Sequence, residues 1–191
     1  MQATGGQQVR SRAGASLTAL DDGCAYLFGG QEPSTGACFS DVWRLDTAVW
    51  SWTRLQPRSG APPPRHSHCA GRLTNGCIVV YGGASQSNSM FGDVWVFNVT
   101  TVEWKRIDVA GNAPTPREMA TGTMLDDARM LVVGGRAQDG STLRDVAVLD
   151  MARESWRAQP PLCHACCAHS ATLLPRDSMS EVRACAHLKW G

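Results

Sequence analysis

The stretch AYLFGG (residues 25–30) is a run of good strand formers that stops at two glycines. The same figure returns as IVVYGG (residues 78–83) and MLVVGG (residues 130–135). Four apolar or aromatic residues ahead of a glycine pair suit a fully buried strand better than a half-exposed one. Gly29 and Gly82 are 53 residues apart, Gly82 and Gly134 are 52 apart, and self-similarity at a fixed period marks a repeat architecture.

Other positions fall into register with the glycines. Arg12, Arg65 and Arg117 each precede the first glycine of their pair by 17 residues. Asp41, Asp93 and Asp145 open the runs DVWRLD, DVWVFN and DVAVLD, following the second glycine (Gly30, Gly83, Gly135) by 11, 10 and 10 residues. Trp52, Trp104 and Trp156 stand 11 residues beyond those aspartates. Each unit reads as four short strands, in the second copy about 67–73, 77–81, 94–98 and 103–107, with turn signals between them. No segment holds an apolar period of 3.6 over helical length. The fold class is therefore all-β, and four-stranded units repeated along a chain form the blades of a β-propeller.

Roles follow from residue chemistry. The glycines end the second strand where the backbone bends or takes positive φ, and they leave room for a large neighbour, for which the fourth-strand tryptophan is the natural candidate. Its indole N–H is expected to reach a backbone carbonyl. The aspartate is expected to accept backbone N–H groups of the preceding loop, and the arginine to donate to carbonyls between adjacent blades.

At these residues the sequence resembles the kelch-repeat family, in its longer-period branch. The family pattern is P-x-P-R-x-x-H, then an apolar strand with Gly-Gly, then D-V-W-x-F/L-D, then tryptophan. The match is closest at GAPPPRHSH and NAPTPREMA, and departs at Ala15 and Ala120 in the place of His68, and at Ala147 in the place of Trp43 and Trp95. Residues 12–64, 65–116 and 117–165 then form repeats 1 to 3, and residues 1–11 an inter-blade connection or flexible N-terminus. Residues 166–174, with Cys166 in the arginine place and His169 in that of His68, start a fourth copy. Residues 175–191 read as an irregular tail without Gly-Gly, and Trp190 and Gly191 fit no repeat position. By resemblance, closed propellers of this family have five to seven blades. Three blades and the start of a fourth make an incomplete propeller: a fragment, a truncated product, or part of an oligomeric ring that self-associates through exposed blade ends.

The 18 basic and 17 acidic side chains give a net charge of +1, which offers no footprint for nucleic acid or an anionic membrane. No apolar run approaches the roughly 20 residues that span a bilayer, and the start lacks a signal-peptide core. Among eight cysteines, Cys24, Cys69 and Cys77 fall on strands, where cysteine behaves as a small hydrophobe. Without a secretory signal, reduced thiols and a cytoplasmic location are the expectation. Asn98-Val99-Thr100 then reads as a turn rather than a glycosylation acceptor.

The chemical lead is CHACCAH (residues 163–169), whose Cys163 and Cys166, with Cys185 and His187 further on, have the ligand types of a tetrahedral zinc site. Against it, His169 already has a repeat position, and alternation along a strand points neighbouring side chains to opposite faces. No metal and no cofactor is therefore expected. Some relatives of the resembled family are copper oxidases with tyrosine and histidine ligands; here Tyr26 and Tyr81 both lie in buried runs. Others carry an E-x-x-x-D-x-x-x-H iron set, and no glutamate here has an aspartate four residues later. His68 and His169 read as structural.

The connections after the glycines, QEPSTGACFS, ASQSNSMFG and RAQDGSTLR, share one topological place and differ in chemistry. Repeats put such segments on one face, commonly the binding face. Glu32, Asn88, Met90, Phe91, Arg136 and Asp139 are the candidate contacts for a protein partner. The resulting expectation is a non-catalytic interaction module, an adaptor or scaffold; the alternative is a piece of a propeller enzyme or metal protein with its active residues on other blades.

Overall fold

The computed structural model describes residues 8–173. The first blade is β1 (Ser16–Ala19), β2 (Cys24–Phe28), β3 (Val42–Asp46) and β4 (Ser51–Leu55), paired antiparallel in that order. The second is β5 (Cys69–Leu73), β6 (Cys77–Tyr81), β7 (Val94–Asn98) and β8 (Glu103–Ile107), with one 3-10 turn at Thr74–Gly76. A short linker strand, β9 (Ala110–Gly111), follows, and a two-residue ladder joins β10 (Arg117–Glu118) to β13 (Arg136–Ala137). The third blade is β11 (Thr121–Met124), β12 (Arg129–Val133), β14 (Val146–Asp150) and β15 (Ser155–Gln159). The last three strands of the second blade begin and end at the positions read from sequence. The first starts at Cys69 rather than 67, because Ser67 takes a left-handed φ of 54° that breaks the ladder.

The blades stack face to face. Cys24, Tyr26, Phe28 and Val42 of the first pack on Ile78, Val80, Phe97 and Trp104 of the second. Cys69, Val79, Tyr81 and Val94 of the second pack on Met130, Val132, Leu149 and Trp156 of the third. The fourth-strand tryptophan closes each interface against an aromatic of the blade before it: Trp104 lies 4.7 Å from Phe28, and Trp156 lies 4.8 Å from Tyr81, centroid to centroid. Such pairs add about 1 kcal/mol beyond area burial. The expected indole bond is not made by Trp104, whose Nε1 is buried with no hydrogen-bond partner among the described residues. Aromatic packing fixes this ring instead.

Linkers tie consecutive blades at the outer rim. β9 runs parallel to β15, so residues read as the end of the second repeat add a fifth strand to the third blade. At the preceding joint the Arg58 N–H donates to the Val102 carbonyl. A second chain of bonds runs round the inner side: Ser67 N–H to Gly14 O, Met119 N–H to Ser67 O, and Ala168 N–H to Met119 O, at 2.7, 2.9 and 2.9 Å. Gly14, Ser67, Met119 and Ala168 all have φ between 50° and 65°. Residues 166–169 thus dock on the third blade as the start of the second and third blades dock on their predecessors. Leu174 and everything after it lie outside the described residues, as do residues 1–7.

Candidate interaction face

The frame beneath the loops is the same triad in each blade. Arg65 donates from Nη1 to the Gly82 carbonyl at 2.9 Å and grips both oxygens of Asp93 at 2.7 and 3.0 Å. Arg12 does the same with Gly29 and Asp41, and Arg117 with Gly134 and Asp145. The guanidinium therefore bonds within its own blade, not between blades as the sequence reading expected. Its main-chain carbonyl makes the link across: Gly30 N–H donates to Arg65 O, Gly83 N–H to Arg117 O and Gly135 N–H to Cys166 O, at 2.8, 2.8 and 2.7 Å. The reason is steric. A Cβ on Gly82 would stand 2.8 Å from Arg117 O, so the glycine admits the next blade's backbone rather than the indole.

The aspartate likewise accepts side chains instead of loop N–H groups. The Trp43 indole donates to Asp41 and the Trp95 indole to Asp93, each at 2.6 Å. Burial pushes the Asp93 carboxyl up, but Arg65 and Trp95 outweigh it and hold the group below the ordinary carboxylate range. Phe39 and Phe91 lie over the Arg12 and Arg65 guanidinium planes at 4.0 and 4.2 Å. The third blade has Leu143 and Ala147 at these two places, and the Asp145 side chain is 46% exposed against 15% for Asp93. The missing rings uncover the ion pair.

The loops rise from this frame on one face. In the first, Glu32 accepts the Thr35 hydroxyl at 2.6 Å and the Gln31 amide donates to Gly36 O, so the loop closes on itself. The second is exposed at Gln86, Ser87, Asn88 and Ser89, and Asn88 has φ 58°. A groove of about 590 Å³ lies between the two, lined by Cys38, Pro63, Pro64, Ser85, Gln86, Ser87 and Phe91. In the third, Asp139 accepts Ser141 N–H and hydroxyl, which hold its carboxyl below the ordinary range. Gln138 bridges to the second loop: its Oε1 accepts Met90 N–H at 2.8 Å and its Nε2 donates to Asn88 O at 3.0 Å. Asn88, Met90, Asp139 and Arg136 are thus brought to one side, Phe91 is drawn down onto Arg65, and Glu32 belongs to a separate loop.

Two residues on the inner rim escaped the sequence reading. Glu118 is 1% exposed and pairs through Oε1 with Arg136; its Oε2 has no hydrogen-bond partner among the described residues and lies 3.7 Å from His66 Nδ1. His66 is itself buried, its Nδ1 on Ser67 Oγ at 3.0 Å and its Nε2 without a partner among the described residues. The available signal was the place directly after the repeat arginine, where Ala13, His66, Glu118 and Cys167 stand in turn.

The remaining candidates are placed in the framework. His68 Nε2 meets Ser16 Oγ on the preceding blade at 2.8 Å, and His169 Nε2 meets Thr121 Oγ1 at 3.1 Å. Where the third copy has Ala120, the second blade presents the Cys69 thiol to its carbonyl. Tyr26 donates to Asp22, and Tyr81 to Pro114 O. Cys166 Sγ lies 3.5 Å from His169 Nε2 and Cys163 is exposed, but Cys185 and His187 lie outside the described residues. Among the described residues no three His, Cys, Asp or Glu side chains gather to hold a metal, and no helix is long and apolar enough to cross a membrane.

Comparison with known proteins agrees with this architecture. The family model described as the KLHDC2/KLHL20/DRC7 Kelch-repeats domain matches residues 1–179. The dynein alpha chain of the flagellar outer arm of Chlamydomonas reinhardtii is 32% identical over 159 residues, 81% of this chain and 3% of that protein. Acyl-CoA-binding domain-containing protein 4 of Arabidopsis thaliana is 30% identical over 156 residues, 82% of this chain and 23% of that protein. Dynein regulatory complex subunit 7 of C. reinhardtii is 29% identical over 130 residues, 68% of this chain and 11% of that protein. The chain spans less than a quarter of the length of each.

Proposed function

The chain belongs to the kelch-repeat family, and from that premise we propose that it is a non-catalytic adaptor or scaffold module that captures a protein partner through the loops of one face. The carrying observation is the contrast between frame and loops. Three Arg–Gly–Asp triads repeat the same bonds, while the segments they support, nearly equal in length, differ in net charge and in chemistry. A rigid frame under divergent loops is what recognition of another macromolecule requires. One relative is named as a subunit of a dynein regulatory complex, which accords with a role inside an assembly. A cytoplasmic site of action fits the same reading.

The test is capture from a lysate by the whole chain, compared with variants carrying residues 31–40, 84–92 or 136–144 replaced by Gly-Ser linkers of equal length. Loss of one specific partner with retained thermal stability supports the reading. Equal capture by all three variants overturns it. The second reading is a piece of a propeller enzyme or metal protein with its active residues on other blades, and stoichiometric zinc, iron or copper in the purified chain would favour it. Self-association rests on the apolar face of the third blade, where Leu131, Val133, Val146 and Val148 line an open groove of about 350 Å³. Light scattering on the eluted peak separates a closed dimer from a monomer.

A further inference from the structure

The geometry points to a carboxamide-binding site at the inner rim, built by Glu118 and His66 beneath the side chain of Arg136. The Glu118 carboxylate is 1% exposed, and one of its oxygens receives no donor among the described residues. The His66 Nε2 is buried with no partner either. Buried polar atoms are satisfied in the great majority of cases, and a charged oxygen left bare in a low dielectric is costly. No hydrogen bond joins the two groups: 3.7 Å between Nδ1 and Oε2 is an ion-pair separation beyond hydrogen-bonding distance, and Nδ1 is already on Ser67.

The missing partner has a defined chemistry. Glu118 Oε2 demands a donor, and His66 Nε2, on the same ring as the Nδ1 that lies 3.7 Å from that oxygen, takes an acceptor in the tautomer in which Ser67 donates to Nδ1. Arg136 already cancels the charge of Glu118, so a second cation would meet the guanidinium and an anion would meet the bare carboxylate oxygen. A neutral group carrying N–H and C=O side by side fits both atoms: the carboxamide of an Asn or Gln side chain, or of a small amide. Arg136 covers the site: its side chain is 42% exposed, and among the described residues its guanidinium bonds to Glu118 Oε1. Residue 136 opens the third loop, so the site lies at the inner edge of the interaction face, yet it stands independently of that reading because its test needs no partner.

The experiment is a titration of the full chain, with its histidine rings isotopically labelled, by acetamide, acetate and methylammonium. Acetamide is expected to shift the His66 ring signals saturably, and the two ions to leave them in place. Glu118→Gln, which keeps shape but turns an acceptor into a donor, is expected to weaken acetamide by about tenfold or more, the weight of one charge-assisted hydrogen bond. A Gln-centred pentapeptide that binds more tightly than acetamide, with its Ala counterpart inert, assigns the site to a protein side chain. Equal binding of acetamide and the Gln peptide assigns it to a small amide. Signals unmoved by acetamide, or moved equally by acetate, overturn the site and leave a hydrated ion pair. If Glu118→Gln does not fold, the three probes on the unaltered chain still decide between these outcomes.

Discussion

The Gly83 N–H donates to the Arg117 carbonyl of the next blade at 2.8 Å, and a Cβ on Gly83 would lie 2.7 Å from the His66 carbonyl. Its φ of 94° is also closed to most side chains. Gly23, in the turn before β2, has φ 74° with no atom within 4 Å of an added Cβ. Gly23→Ala therefore meets only left-handed strain and is expected to cost about 1–2 kcal/mol. Gly83→Ala adds a backbone clash that no side-chain rotation relieves, and is expected to cost clearly more or prevent folding. Urea melts of both variants check the order, and equal losses would refute the packing argument.

Arg65 and Asp93 bind at the centre of the second blade, with Arg65 fully buried. Arg65→Ala strands a largely buried carboxylate and is expected to destabilise by about 3–5 kcal/mol, the usual loss on breaking a buried pair. The acid side of this bond is informative too. Since the folded Asp93 carboxyl lies below its unfolded value, its contribution is complete above the ordinary carboxylate range and fades as pH falls through the folded value. Trp95→Phe removes the indole donor while keeping an aromatic ring. With Arg65 still in place the carboxyl moves back toward its ordinary range, and acid unfolding is expected to begin at a higher pH than in the unaltered chain, as followed by circular dichroism.

His68 behaves in the opposite chemical sense. Burial first, and then the nearby Arg65 and His66, push it down to about 3, so the folded chain holds it neutral. The unfolded chain takes up a proton near pH 6.5. Stability from this residue is whole above pH 6.5 and declines as pH falls from there toward 3, by up to about 1.4 kcal/mol per pH unit. His68→Gln can keep a bond to Ser16 without titrating. Chemical denaturation at pH 7 and pH 5 is expected to show a smaller loss in the variant than in the unaltered chain.

The framework was legible in the sequence because its residues recur: the period of the glycine pair placed β6, β7 and β8 of the second blade to the residue. What escaped was the direction of the polar groups. Spacing cannot tell whether Arg65 reaches across a blade boundary or folds back 28 residues to Asp93, since both partners sit at repeat positions. Nor did the reading pair Phe39 and Phe91 with the arginines, although both stand two residues before the repeat aspartate. Glu118, His66 and Gln138 were missed because they differ from copy to copy, and a repeat alignment draws the eye to what stays the same.

Thiol chemistry follows burial. Cys69 is buried between the second and third blades, and burial pushes its thiol up to about 12, with Arg117 opposing weakly. Cys163 is exposed. As the thiolate is the reactive form, brief alkylation of the native chain at pH 8 is expected to modify Cys163 and spare Cys69. Peptide mass spectrometry reads the result, and early modification of Cys69 would mean that the interface between the blades opens readily.

Gln138 joins two loops whose chain positions lie 48 to 50 residues apart, and it does so through main-chain atoms only. Side-chain identity in the second loop is therefore free to vary while its path stays fixed, which is the property a recognition surface needs. Gln138→Ala removes both bonds at an exposed position, so global stability is expected to change by less than about 0.5 kcal/mol. The Met90 amide, which donates to Gln138 Oε1, is expected to exchange about fivefold faster, the equivalent of one hydrogen bond of about 1 kcal/mol. Gln138→Glu separates the two bonds. Its carboxylate still accepts from Met90 but cannot donate to Asn88, so Met90 protection is retained while the turn at Asn88, held at φ 58°, loosens. Hydrogen exchange resolved by residue distinguishes these patterns. Unchanged exchange across residues 85–91 in Gln138→Ala would show that the loops hold their shape alone, and that Gln138 merely rests between them.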